Sequence, residues 1–121
     1  MRVTRLHLHK ISGVLDIQFA NQKEYSLTAE FLRVHSPSAE VKGHGNPILV
    51  TNKRDVKISD LALIGNYAVK LSFNDGHNSG LYSWETLYQY ATQQKQMWAD
   101  YLESLAASNA GRESVIPIKL K

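Results

Sequence analysis

The sequence predicts an α+β domain: a small antiparallel β-sheet covered by one long C-terminal helix, with one short helix beside it. Three observations predict this. In "VLDIQFA", Leu15, Ile17 and Phe19 alternate with Asp16 and Gln18, which is the two-residue period of a strand with one wet face. Asp75 and Gly76 stand between the apolar runs "YAVKLSF" and "GLYS", where an Asp-Gly pair supplies the positive φ of a tight reversal. From there Trp84, Leu87, Tyr88, Ala91, Trp98, Tyr101, Leu102 and Leu105 recur at helical spacing over about six turns.

Taken in order, "VTRLHLHK" and "VLDIQFA" flank "ISG" and form a strand pair. After the polar turn "NQKE", the stretch "TAEFLRVHS" reads as a helix of two turns, with Thr28 as N-cap, Glu30 in the first turn and a stop near Pro37. Residues 36–46 have loop composition, and Gly43 and Gly45 serve as turn residues. Further strands are expected at "PILV", "VKISDLALIG", "YAVKLSF" and "GLYS". Ser83 then caps the long helix, Glu85 suits its first turn, and Trp84 and Trp98 anchor it in the core. The helix frays near "SNAGRESV". The expected organisation is one domain over residues 1–108 and a mobile tail over 109–121.

Composition narrows the function classes. A chain of 121 residues with 43% hydrophobic and 21% charged residues suits a single globular domain. Its 14 basic residues are interspersed with 11 acidic ones, which argues against a nucleic-acid footprint. With no cysteine, the chain has no disulfide, thiolate nucleophile or cysteine-held metal of its own. The N-terminus lacks the apolar core of a secretory signal, and no run is long enough to span a membrane, so a cytoplasmic protein without membrane partners is expected.

Catalytic templates are not met. His7 and His9 lie two apart on a strand and share a face, but two ligands alone make a weak metal site, and no third stands at useful spacing. There is no H-E-x-x-H, no G-x-S-x-G and no phosphate-binding loop. Asp75, His77 and Ser79 could be written as a triad, although adjacency in sequence does not give hydrogen-bond geometry. The bland reading of "DGHNSGLYSW" is a hairpin turn, a closing strand and a capped helix, with Gly76 in the turn.

"LRVHSPSAEVKGHG", followed by "IGNYAVKLSFNDGHNSGLYSW", resembles the family formerly called DUF971, the gamma-butyrobetaine hydroxylase-like N-terminal domain, over about residues 3–105. In that family the domain precedes the oxygenase domain of carnitine-pathway hydroxylases, is fused to ATPases linked to iron-sulfur assembly, or stands alone. The resemblance implies a non-catalytic accessory or protein-interaction module without a cofactor, whose partner would be an oxygenase or an iron-sulfur-assembly ATPase. The hydroxylase members hold a structural zinc through three cysteines and a histidine. Those cysteine positions fall at Ser36, Ser38 and Val41, and the histidine falls at His77. His77 is then the one retained corner of a degenerate site, and His35, His44, Asp75 and His77 mark the expected contact surface. The alternative is a metal or iron-sulfur accessory protein holding zinc or iron there. A third reading is an enzyme acting on a small molecule in the same region.

Overall fold

The alternation that opens the chain is realised in β1 (Val3–His9) and β2 (Val14–Phe19), an antiparallel pair. Gly13, at φ 75°, closes the connection by donating its N–H to the His9 carbonyl at 2.8 Å. On β2, Leu15, Ile17 and Phe19 are fully buried, while Asp16 and Gln18 point the other way and stay half-buried. The structure, a computed structural model, describes residues 1–37 and 49–113.

A third strand, β3 (Glu24–Thr28), follows where only a polar turn was expected. It pairs with β2 so that Leu27 and Tyr25 stand opposite Leu15 and Ile17 on the inner face. Its signal is faint because Glu24, Ser26 and Thr28 face out, leaving Leu27 as its one buried residue. Thr28 is also the N-cap of α1 (Ala29–Val34), accepting from the Phe31 N–H at 3.0 Å. This short helix turns Phe31, Leu32 and Val34 into the core.

The second half repeats the three-strand meander: β4 (Ile58–Ile64), β5 (Ala68–Phe73) and β6 (Gly80–Ser83), all antiparallel. The α+β class is as expected, with the strands divided into two three-stranded sheets of order β1-β2-β3 and β4-β5-β6. "PILV" is not a strand where it is described. Leu49 and Val50 instead pack on the long helix, and the Val50 carbonyl accepts the Tyr101 hydroxyl at 2.7 Å. Leu49 and Val50 meet the side chains of that helix, and neither pairs with a strand among the described residues.

The long helix, α2 (Trp84–Ala107), starts at Ser83, whose hydroxyl accepts the Thr86 N–H at 3.1 Å. Leu87, Ala91, Tyr101 and Leu105 are its buried positions, and Trp84 and Trp98 are half-buried against the core. Leu102 is 40% exposed and drops out of the expected stripe, one residue round from the buried Tyr101. One apolar core joins the inner faces of both sheets, α1 and the first turns of α2; a smaller cluster of Val34, Tyr101 and Leu105 lies beyond, and Trp98 packs against both.

Past the helix the chain folds back. Asn109 takes φ 52°, and the Gly111 and Arg112 carbonyls accept the Asn52 and Arg54 N–H groups at 2.9 and 2.8 Å. The Arg112 guanidinium grips both carboxylate oxygens of buried Glu30 at 2.8 Å and lies 5.1 Å over the Trp98 ring. The expected segment "IPIKLK" lies outside the described residues. Among the described residues, no helix is long and apolar enough to cross a membrane.

The turn between β5 and β6 carries a prediction. Gly76 sits at φ 92° with open space where a Cβ would project. Gly76→Val should therefore destabilise through backbone strain alone, by roughly 1–3 kcal/mol. Urea unfolding checks this, and a neutral result would contradict the strain.

Candidate functional site

The "DGHNSG" segment and the end of α1 meet in one corner. The Phe73 N–H donates to the His77 carbonyl at 2.8 Å, and the His77 N–H donates to Asp75 Oδ1 at 3.1 Å, so the turn is closed by its own acid. Asp75 Oδ2 accepts from Arg33 Nε and from Lys53 Nζ, each at 2.8 Å. Burial alone would raise the Asp75 pKa. The Lys53 ammonium, the His77 N–H and the Arg33 guanidinium outweigh it and hold the carboxyl at about 2. Arg33 Nη1 is buried and has no hydrogen-bond partner among the described residues.

Beneath this ion cluster, Ser36 Oγ lies 2.9 Å from His77 Nε2, with both residues buried. Gly80 makes room for the contact, because a Cβ there would stand 2.8 Å from Ser36 Oγ and 2.9 Å from Tyr82 Cε1. The fully buried Tyr82 hydroxyl donates to the Leu32 carbonyl, and burial pushes its pKa up. Ser36 and His77 are therefore brought together across 41 positions of sequence. Ser38, Val41 and His44 lie outside the described residues.

The arrangement differs from a nucleophile–base–acid relay. Asp75 is bonded to the His77 main chain and to two cations, and the hydroxyl found at His77 Nε2 is that of Ser36, not Ser79. With Ser36 only 1% exposed, its oxygen is shut off from substrate.

His35 faces inward. Its Nδ1–H donates to the Phe31 carbonyl at 2.8 Å, and its ring packs against Phe31, Tyr90 and Tyr101 with centroids 4.3, 6.0 and 5.9 Å away. Burial lowers its pKa, and the bond to Phe31 offsets this only in part. The sign follows from protons bound. The unfolded chain takes up a proton at about pH 6.5, before folded His35 does, so the stability His35 contributes is complete above that value. It is lost progressively as pH falls toward the folded pKa. Urea midpoints measured at about pH 8 and pH 5.5 should fall on acidification, and His35→Gln should reduce the fall. An equal fall in both proteins would contradict this.

Two groupings were missed by sequence reasoning. Asp16 stands opposite His7 across the β1–β2 ladder and meets His9, which supplies the third ligand that linear spacing did not show. Glu30 and Arg112 pair across 82 positions, a separation that leaves no local signal.

The model of the family described as gamma-butyrobetaine hydroxylase-like, N-terminal, matches residues 6–88. The chain belongs to this family. Two NMR solution structures resemble it over 99% of its length. One has 48% identity and a TM-score of 0.83 over 99% of its own chain, and the other has 51% identity and 0.81 over 91%. A crystal structure of a DUF971-family protein of unknown function from Acidithiobacillus ferrooxidans is 34% identical with a TM-score of 0.63, covering 73% of this chain and 90% of that one. No curated protein matches the chain.

The zinc implied by resemblance to hydroxylase-type members of the gamma-butyrobetaine hydroxylase-like N-terminal family does not fit the described residues of this corner. Ser36 offers a neutral hydroxyl, a poor zinc donor at neutral pH, already within hydrogen-bond distance of the one imidazole nitrogen it would have to share with a metal. Contact between Ser36 and His77 does the joining there.

Proposed function

We propose that this family member is a non-catalytic accessory module that docks on a protein partner through the surface made by the 74–80 turn and the Arg33 and Lys53 side chains beside it. The observation that carries this reading is the buried Ser36–His77 contact, which commits the most reactive-looking pair in the chain to holding the turn. Above it, Arg33, Lys53 and Asp75 form a pre-ordered cluster with one excess positive charge. Fixed charges on a rigid turn favour recognition, since little side-chain entropy is lost when a partner carboxylate arrives. The partners that the family resemblance suggests are an oxygenase or an iron-sulfur-assembly ATPase, and the compartment proposed is the cytoplasm.

Site-specific photocrosslinking in cells of the source organism tests this. A crosslinker at exposed Asn78 should trap a discrete protein species, and one at exposed Gln93 on α2 should not. Equal trapping from both positions, or none from Asn78, would refute the docking surface.

A further inference from the structure

The outer face of the first sheet carries a second polar grouping, remote in sequence from the Ser36–His77 corner. His7 and His9 project from the same side of β1, their rings stacked with centroids 4.2 Å apart. The ladder sets Asp16 of β2 directly opposite His7, and His9 Nε2 reaches Asp16 Oδ2 at 2.7 Å. One ring nitrogen from each histidine and a carboxylate oxygen lie within 4.8 Å of one another. On the far side, Ser26 of β3, paired with Asp16, donates its hydroxyl to Asp16 Oδ1 at 2.6 Å.

We propose that His7, His9 and Asp16 form a binding site for a borderline divalent cation of the Zn²⁺ class. Ligands bound at about 2.0–2.2 Å to one ion stand roughly 3–3.5 Å apart, so side-chain motions of about 1 Å would close the set. Such motions are available here, because His7 is exposed and the other two residues are only half-buried. Two imidazoles and one carboxylate suit zinc and its first-row neighbours and suit magnesium or calcium poorly. The backbone carries the preorganisation: three adjacent strands in fixed register aim His7, Asp16 and Ser26 at one patch. Ser26 acts as an outer partner, orienting the carboxylate and leaving Oδ2 for the ion. The Ser26 hydrogen bond, followed by that of His9, also lowers the Asp16 pKa, which keeps the ligand ionised. Three protein ligands leave coordination positions open to solvent, as at a catalytic or exchange site and unlike a closed structural one.

The test uses the full chain without an affinity tag, stripped with chelator and titrated with Zn²⁺ against a chromophoric competitor. One saturable equivalent is expected, with His7→Ala, His9→Ala and Asp16→Asn each weakening it at least tenfold and Ser26→Ala weakening it less. His77→Ala should leave the affinity unchanged. His7→Ala removes an exposed ring and keeps the His9–Asp16 pair, so its unfolding midpoint should match the parent's and a loss of binding cannot be assigned to unfolding. Absence of saturable binding, parental affinity in His7→Ala and Asp16→Asn, or binding abolished by His77→Ala would each overturn the site. Crosslinking at Asn78 reads a different surface, so failure of either proposal leaves the other standing.

Discussion

Phe19→Ala is expected to lower the unfolding free energy by about 4 kcal/mol, the largest single-residue loss in this domain. Phe19 is fully buried on β2, and its ring meets Tyr25 of β3 at 5.9 Å and Tyr88 of α2 at 5.0 Å, both edge-on. The ring therefore joins the first sheet to the long helix, and its removal takes away transfer free energy and two aromatic contacts and leaves a cavity. Against a total stability of about 5–15 kcal/mol for an ordinary domain, the variant should be marginally folded. Urea unfolding followed by tyrosine and tryptophan fluorescence measures it. A loss below about 1 kcal/mol would mean that the sheet and the helix are not packed through this ring.

Trp98→Ala should follow at about 3 kcal/mol, at the lower end for tryptophan because the side chain is only half-buried. Trp98 packs against both apolar clusters, 5.2 Å from Tyr101 and 6.4 Å from Phe31, and its outer face underlies Arg112. Leu102→Ala is the control. It lies four residues on but is exposed, so it should stay within about 0.5 kcal/mol of the parent. Equal losses in the two variants would mean that the helix is rotated from the orientation described.

Where the chain states its structure locally, the sequence is a sufficient guide. Leu15, Ile17 and Phe19 announce β2 by alternation, Thr28 and Ser83 announce helix starts by their hydroxyls, and Gly76 announces the turn by its freedom at positive φ. Each of these preferences acts within a few residues. β3 escaped notice because most of its side chains face water, and Leu102 was miscounted because apolar spacing on a helix leaves the edge of the stripe open. The sites follow the same division. His77 could be singled out from its own neighbourhood, but its Ser36 partner sits 41 residues away, and Asp16 joins His7 and His9 only once the ladder register is set. Cross-strand pairing is a tertiary fact, and spacing along one strand does not encode it.

The clasp between Glu30 and Arg112 bears on how the protein is born. Glu30 leaves the ribosome first, on a helix that would bury its carboxylate, and the guanidinium that neutralises it arrives 82 residues later. Until then, burying Glu30 would strand an uncompensated charge, so the nascent chain is disfavoured from closing this side of its core. Folding of the α1 side is thereby tied to the emergence of Arg112, a link that a high-separation contact imposes on vectorial synthesis. A stalled chain ending before Arg112 should be more open to protease around α1 than the released protein.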